Sequence, residues 1–278
     1  MSNIIEDERA FRDAMSEWGL IPPLEVLSDD KIHRCDAARQ GGKNDGWYVF
    51  HRDGVPAGAF GDWADGRGSQ PWCSRSAHDL SPADRAAYRL RMESAKNARN
   101  ALQQQIYAEK ADLAASIWGK APTIAAHAYL SRKGVKSYGL RLSRDGRLIV
   151  PAYNDDGRIS TLEFIAGDGS KRFLKGAKKA GCWFTIGDAT DAICIAEGYA
   201  TGASVHEATG YQVVVAFDSG NLLRVAEAIR GKAPVAKIVL CADDDAATDG
   251  NPGLSAATYA AQVIKGFLAV PSFGKERP

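Results

Sequence analysis

Length, composition and charge set the first limits on this protein. The chain has 278 residues, 45% of them hydrophobic, which is enough for one large domain or two small ones. No apolar run approaches the ~18 residues of a membrane helix, and the acidic N-terminus MSNIIEDERAFRD lacks the layout of a signal peptide. Five scattered cysteines favour a reduced compartment, so a cytoplasmic protein without a membrane partner is predicted.

The charge is unevenly distributed, although the formal net charge is only +1. Residues 131–181 carry twelve Lys and Arg against five Asp and Glu, a net of +7, whereas residues 186–278 carry seven against eleven, a net of −4. This polarity suits a site that binds a polyanion on one side and metal ions on the other. Two ordinary solvated surfaces are the alternative interpretation.

The first 134 residues divide into two segments. Residues 1–80 contain short β-like pieces separated by Asp-Gly and Pro turns, which predicts a small β-rich module. Residues 81–134 begin with Ser81 as an N-cap and Pro82 at the first helical position, and their Ala, Arg, Gln and Glu content predicts a helical spacer. A shorter helix at the end of this segment is expected to stop at Gly134.

Two features of the N-terminal module admit both a structural and a functional interpretation. His33, Cys35, Cys73 and His78 are candidate zinc ligands, but there is no Cys-x-x-Cys pair, so core and surface roles are favoured. Four aromatic side chains are favoured as core residues over a base-stacking platform for single strands. These are Trp47, Phe50, Trp63 and Trp72.

The rest of the chain predicts two kinds of sheet. Residues 135–185 contain strand-like runs joined by Asn-Asp-Asp-Gly, a hairpin signal, and form a basic antiparallel β region. Residues 186–278 alternate short continuous apolar runs with helical stretches. That alternation predicts an α/β fold, with a parallel sheet flanked by helices.

Acidic residues follow three of the predicted parallel strands. Glu197 follows the first, Asp218 the second, and Asp243–Asp245 the third. Because ligands bind beyond the carboxyl ends of parallel strands, these side chains are expected at one sheet edge. Two carboxylates ~4 Å apart repel by about 4 kcal/mol at an effective dielectric of ~20, so Mg²⁺ or Mn²⁺ is predicted between them. Helix-capping acids are the alternative.

The three consecutive aspartates are not equivalent in an extended chain. Residues i and i+2 point the same way, so Asp243 and Asp245 are predicted to converge on the metals while Asp244 faces away. An offset register, in which Asp244 acts with Asp249 of the following loop, is the alternative.

These motifs resemble the Toprim domain, which bacterial-type primases, topoisomerases and some nucleases share. The resemblance rests on the Glu-Gly of residues 197–198 and the Asp-x-Asp of residues 243–245. EGYATG at 197–202 resembles the EGYATA motif of primases carried by plasmids and phages, and departs from it at Gly202. GRLIVPAYNDDGRISTLEFI and KRFLKGAKKAGCWF resemble the basic β region that precedes Toprim in replicative primases. The likeness covers about residues 140–271, a Toprim-like sheet and the region before it.

The resemblance implies metal-dependent synthesis of short RNA primers from ribonucleoside triphosphates on a single-stranded DNA template. Glu197 would act as acid and base or as a metal ligand, and Asp243 and Asp245 would hold Mg²⁺ or Mn²⁺. Nucleotide and template binding would fall to four basic residues, Arg147, Lys171, Arg172 and Lys175. Primases of this kind often continue into a helicase. No G-x-x-x-x-G-K-[ST] motif occurs here, so a piece of a longer protein or a small stand-alone primase is predicted, with a helicase as a fused or separate partner.

Two other functions use the same sequence features. A Toprim nuclease would use the same acids to cut DNA, and a non-catalytic module would only bind nucleic acid. A topoisomerase is disfavoured, because it needs a DNA gate and an added tyrosine domain. The basic β region favours the primase, since a nuclease has no nucleoside triphosphate to hold.

Overall fold

The computed structural model describes residues 4–29, 31–75, 81–243, 248 and 251–271. Its chain forms two compact units, Met1–Gln105 and Ile106–Pro278. Among the described residues, no helix combines the length and the apolarity needed to cross a membrane.

The first unit packs one helix, α1 (Ile4–Trp18), on an antiparallel sheet with the strand order β1-β2-β3-β4-β5. Phe11 and Met15, one helical turn apart, are fully buried against the aromatic side chains of the sheet. Trp47 and Phe50 are buried as well, as expected for core residues. The strands are β1 (Leu20–Ile21), β2 (His33–Ala37), β3 (Gly46–His51), β4 (Ala57–Asp62) and β5 (Ser69–Cys73).

The candidate zinc ligands of this unit do not come together in the described part of the chain. Cys35 lies in β2 and Cys73 in β5, and β3 and β4 run between them. Three strand spacings are roughly 14 Å, far beyond the reach of two ligands of one zinc ion. The His33 ring is hydrogen-bonded to Asp29, with 2.6 Å between Nε2 and Oδ1. His78 lies outside the described residues.

The predicted spacer is a single long helix followed by a short one. Helix α2 (Pro82–Lys120) starts as expected, because Ser81 Oγ accepts a hydrogen bond from the Asp84 amide. Helix α3 (Ala128–Lys133) is followed by Gly134 in the left-handed conformation, φ 65°, which also agrees with the prediction. The boundary between the two units falls within α2, so the division into segments 1–80, 81–134, 135–185 and 186–278 stays a prediction.

The second unit contains two sheets, one antiparallel and one mainly parallel. The antiparallel sheet has the order β6-β7-β8-β9 and the other has the order β10-β12-β11-β13-β14. The strands of the first are β6 (Arg141–Leu142), β7 (Leu148–Tyr153), β8 (Ile159–Ile165) and β9 (Lys171–Phe173). The strands of the second are β10 (Phe184–Ile186), β11 (Ala192–Ala196), β12 (Gln212–Val215), β13 (Lys237–Cys241) and β14 (Phe267–Ala269). Its helices are α4 (Tyr199–Thr209), α5 (Ser219–Lys232) and α6 (Pro252–Val263).

The α/β fold predicted for the C-terminal part is confirmed, with one difference at the sheet edge. Strand β10 pairs antiparallel with β12, whereas β11, β12, β13 and β14 pair in parallel. β10 was expected to belong to the antiparallel region. No crossover helix precedes β10, and a strand that enters a sheet without a crossover pairs antiparallel more readily.

The two faces of the antiparallel sheet are buried against different partners. Leu148, Val150 and Ile165 share a hydrophobic cluster with the mainly parallel sheet, and we call their side the inner face. Ile149 and Phe164 pack with the C-terminal part of α2, and we call their side the outer face. Because side chains alternate along a strand, each residue of β7, β8 and β9 belongs to one of these faces.

Helix α4 lies unusually close to β12 at Gly202. A Cβ atom at this position would lie 2.9 Å from Val215 Cγ2 and 3.3 Å from Val213 Cγ1. Both contacts are shorter than ordinary van der Waals distances. The glycine at the sixth position of EGYATG therefore allows the close approach of this helix to the sheet.

We expect Gly202→Ala to destabilise the protein by about 1 kcal/mol, because overpacking outweighs the gain in helix propensity. Gly231, in α5, is the matched control, since an added Cβ there would have no neighbour within 4 Å. Gly231→Ala should be neutral or stabilising by about 0.5–1 kcal/mol. Urea unfolding monitored by circular dichroism measures both, and equal stabilities of the two variants would contradict the packing argument.

Candidate active site

The acidic residues Glu197 and Asp243 lie at one edge of the mainly parallel sheet. β11 and β13 are adjacent and parallel, with Ala196 opposite Cys241. Glu197 follows β11 by one residue and Asp243 follows β13 by two, so the register brings both to the same edge. β11 is buried along its whole length, which explains its continuous apolar sequence.

The first turn of α4 holds this arrangement in place. Thr201 Oγ1 donates a hydrogen bond of 3.1 Å to Asp243 Oδ1. Tyr199 is fully buried, and its hydroxyl donates to Lys136 O and accepts from the Tyr138 amide, both at 2.9 Å. Burial raises the pKa of Tyr199 well above its usual range, so it stays protonated. The motif EGYATG therefore supplies an acid, an anchoring tyrosine and a threonine that bonds the second acid.

A cavity of about 380 Å³ opens between these acids and a group of cations. Glu197, Thr201 and Asp243, which follow β11 and β13, line one part of it. Another part, which we call its cationic side, is lined by Arg132, Lys133 and Lys171, all exposed, with Asp168 of the β8–β9 turn beside them. We call this cavity the cleft. The unequal charges of residues 131–181 and 186–278 thus meet across a single cavity.

Arg132 and Lys133 were not singled out by sequence reasoning. They occupy the last turn of α3, where basic side chains are favoured for structural reasons alone. Arg132 also donates to Gly167 O at 2.6 Å, which fixes it beside the β8–β9 turn. The sequence feature that could have indicated Arg132 and Lys133 is the excess of basic residues in segment 131–181, to which both belong.

The four predicted basic binding residues do not lie together. Lys171 is opposite Ile165 in the β8–β9 pairing and therefore belongs to the inner face and the cleft. Arg172 is opposite Phe164 and belongs to the outer face. Arg147 also lies there, its guanidinium 4.7 Å from the Phe164 ring centre, and Lys175 is exposed in the loop after β9.

A second cavity, of about 700 Å³, lies on the outer face. Its walls are mostly apolar and come from the end of α2, the β6–β7 turn and Phe164. It is larger than the cleft, but among the described residues no acid that follows a parallel strand lines it. The chemistry of the lining, rather than the size of the cavity, therefore makes the cleft the candidate site.

Asp218, the third acid predicted at this edge, is paired with a lysine outside the cleft. It forms an ion pair with Lys179 at the start of α5. The turn before it is held by buried Asn221, whose Nδ2 donates to Cys182 O and Ala216 O, both at 2.9 Å. Asp218 is therefore neutralised by a lysine of its own, and it does not line the cleft.

The donors present at the cleft fit a hard divalent cation. Glu197, Asp243 and Asp168 offer carboxylate oxygens, and among the described residues neither cysteine nor histidine lines the cavity, which suits Mg²⁺ or Mn²⁺ better than zinc. Asp245, together with Asp244 and Asp249, lies outside the described residues, so the choice between them stays a prediction. Within the described ranges, no group of three or more metal-ligating side chains occurs.

One further carboxyl lies below the cleft, in the middle of β8. Glu163 is only 2% exposed, and burial raises its pKa to about 7, while Lys171 and Lys179 oppose the shift and Asp218 adds to it. An acid whose pKa is higher in the folded than in the unfolded protein makes folding weaker as the pH rises. The loss begins near the unfolded value of 4.5 and is complete above 7.

We therefore expect Glu163→Gln to stabilise the protein at pH 8 by on the order of 3 kcal/mol, because it removes a buried charge. The advantage should vanish below about pH 4.5, where the carboxyl is protonated in both states. Urea unfolding from pH 4 to 8 measures this. Glu227→Gln, on the exposed side of α5, is the control and should show no such pH-dependent gain. A Glu163→Gln advantage independent of pH would contradict the assignment.

Comparisons with known proteins concern the part of the chain in which Glu197 and Asp243 lie. Residues 192–272 match the family model of the Toprim domain, so the chain carries a Toprim domain. The chain is 34% identical over 288 residues to a DNA primase TraC of Escherichia coli, covering 98% of this chain and 27% of that protein. It is 35% identical over 292 residues to a second Escherichia coli DNA primase TraC, covering 95% of this chain and 19% of that one. The resemblance inferred from residues 197–202 is thereby confirmed.

The chain spans about a quarter of the length of the first of these relatives and about a fifth of the second. Among solved structures, it is similar to the primase fragment of the bacteriophage T7 primase-helicase protein. The TM-score is 0.43 and the identity 17%, over 56% of this chain and 68% of that one.

Proposed function

We propose that this protein is a DNA primase that synthesises short RNA primers on single-stranded DNA by metal-dependent nucleotidyl transfer. The observation that carries the proposal is the cleft, in which two strand-end acids and three cations line one cavity. The similarity to two DNA primases over nearly the whole chain supports it. Single-stranded DNA and ribonucleoside triphosphates are the proposed substrates, and the cytoplasm is the proposed compartment.

Glu197 and Asp243, with Asp245, are the proposed ligands of Mg²⁺ or Mn²⁺. Metal ions held there would neutralise the negative charge that develops on the oxygens of the reacting phosphate. The chain itself fixes the geometry, because the β11–β13 register sets the separation of the acids and Thr201 orients Asp243. We propose that Glu197 also accepts a proton at the strand end.

The cationic side of the cleft is the proposed binding site for the triphosphate. Lys171, Arg132 and Lys133 supply charge-assisted hydrogen bonds to phosphate oxygens. Arg147 and Arg172 lie on the outer face, and we propose that they contact the template backbone there, with Lys175 beside them. A helicase, in the same polypeptide or separate, is the proposed protein partner.

A Toprim nuclease is the second candidate, because strand-end acids also serve hydrolysis. The cationic side of the cleft favours the primase, since a phosphodiester bond within a strand presents fewer charges than a triphosphate. A protein that only binds nucleic acid would have no use for two acids beside a phosphate-binding surface.

Replacing either acid tests the catalytic assignment. Glu197→Gln and Asp243→Asn should each abolish primer synthesis while the circular dichroism spectrum is unchanged, because shape is kept and metal-binding charge is lost. Glu227→Gln, the same change on α5 and away from the cleft, should leave synthesis intact. The assay incubates protein with single-stranded DNA, Mn²⁺ and labelled ribonucleotides.

The products of this assay distinguish the candidate functions. New short oligonucleotides support the primase, a shortened template supports the nuclease, and neither product supports the binding module. Normal turnover by Glu197→Gln would remove this residue from the site.

Lys171 and Arg172 form a matched pair, since they are adjacent and equally charged but belong to opposite faces. Lys171→Ala should raise the KM for nucleotide about tenfold, which corresponds to one lost charge-assisted hydrogen bond. Arg172→Ala should leave this KM within about twofold. It should instead weaken single-strand binding and lower the slope of log K against log salt by about 0.7. Equal effects of both changes on the KM would contradict the division of the basic residues.

A further inference from the structure

Glu163 is an unusual residue for its position. It lies in β8 between apolar neighbours, opposite Phe173 of β9, and is almost fully buried on the inner face. Within the described part of the chain, its Oε2 has no hydrogen-bond partner, and neither has Oγ1 of Thr161, two residues earlier on the same face. A buried carboxyl that lacks a full set of partners weakens folding, so its presence requires an explanation beyond stability.

Four titratable groups face Glu163, and each comes from a different part of the fold. Lys171 comes from β9, Lys179 from the loop before β10, Asp218 from the start of α5, and Tyr129 from α3. Lys179 is already paired with Asp218, and burial raises the pKa of Tyr129 to about 12, so Tyr129 stays neutral near pH 7. Lys171 is therefore the cation whose charge is available both to Glu163 and to the cleft.

The Lys171 side chain lies close both to Glu163 and to the cleft. On the inner face it is the diagonal neighbour of Glu163, because Ile165 is opposite Lys171 and Glu163 is opposite Phe173. Its Nζ also lies 3.2 Å from the position that a Cβ on Gly198 would occupy, next to Glu197 at the first turn of α4. One ammonium thus connects the buried carboxyl with the cleft.

We propose that Glu163 is a positioning residue of the nucleotide site that acts through Lys171. In the free protein the Glu163 carboxylate attracts the Lys171 ammonium, and when a triphosphate binds, the ammonium turns to its phosphate oxygens. The carboxylate then takes up one proton from solvent and becomes a neutral acid, so no uncompensated charge stays buried. This inference rests on the proposed primase function.

The electrostatics of the position support this exchange. Burial raises the pKa of Glu163 to about 7, and Lys171 is the first of the two lysines that lower it. Moving the Lys171 charge towards a ligand, and adding the ligand's own negative charge, raises that pKa further. Nucleotide binding must then be coupled to proton uptake near and above pH 7, and by linkage the affinity must fall as the pH rises through that range.

A purely structural role for Glu163 makes a different prediction. Glu163→Gln would then change the stability, but it would leave the number of protons taken up on binding and the pH dependence of affinity as in the wild type. The proton count is therefore the readout that separates a positioning residue from a core residue.

The test is calorimetric titration of the full chain with ATP and Mn²⁺ at pH 6.0, 7.0, 7.5 and 8.5, in two buffers of different ionisation enthalpy. The wild type should take up a fraction of a proton that Glu163→Gln does not, since the titration of ATP itself is common to both proteins. The two should bind equally at pH 6.0, and Glu163→Gln should bind about three- to tenfold more tightly at pH 8.5. Equal proton uptake and parallel pH profiles would overturn the inference.

A second pair of variants shows whether Glu163 acts through Lys171. In a Lys171→Ala background, the effect of Glu163→Gln on proton uptake should be clearly smaller, because only the ligand's own charge then shifts the carboxyl. An undiminished effect there would overturn the coupling. If the proposed nucleotide site itself were wrong, the result would differ from a failure of the Glu163 inference. The wild type would then not bind ATP, or Lys171→Ala would bind ATP as tightly as the wild type. Weakened binding by Lys171→Ala together with a wild-type pH profile for Glu163→Gln would leave the nucleotide site intact and remove only the role of Glu163.

Discussion

The parallel pairing of β11 with β13 is the constraint on which the candidate site depends. It places Ala196 opposite Cys241, so the chain leaves both strands at one edge and Glu197 and Asp243 follow at nearly the same height. A shift of this register by one residue would move every buried side chain of β11 to the other face of the sheet. The hydrophobic core therefore protects the spacing of the acids.

The cationic side of the cleft depends on a second pairing, that of β8 with β9. Only every other residue of β9 points to the inner face, and this selects Lys171 and directs Arg172 to the side of α2. Arg132 and Lys133 reach the same cleft from α3, a part of the chain that precedes the sheet. The site is thus assembled from four segments that are separate in sequence.

The elements with strong local signals could be predicted from the sequence. The start of α2 follows from Ser81 and Pro82, the end of α3 from Gly134, and the position of Glu197 from the continuous apolar run before it. The division of the basic residues could not be predicted, because KRFLKG shows the charges and their alternation but not the pairing with β8 that directs Lys171, rather than Arg172, to the cleft. The same holds for Asp218, whose neutralisation depends on a lysine 39 positions away.

Glu163 shows a different limit of sequence reasoning. A glutamate within the run ISTLEFI indicates a strand with one solvated face, since alternation of polar and apolar residues is typical of half-buried strands. Here both faces of β8 are covered, one by α2 and the other by the second sheet, so the same residue is buried. Burial was decided by the layering of the whole unit, which no local pattern contains.

The hydroxyl of Tyr199 has a mechanical consequence. It joins the first turn of α4 to the chain that follows α3 by two hydrogen bonds, with Lys136 O and the Tyr138 amide. Glu197 lies just before that turn, and Arg132 and Lys133 lie just before that chain. One buried hydroxyl therefore ties together the segments that carry the acid and these two cations, and so restrains the distance between opposite charges.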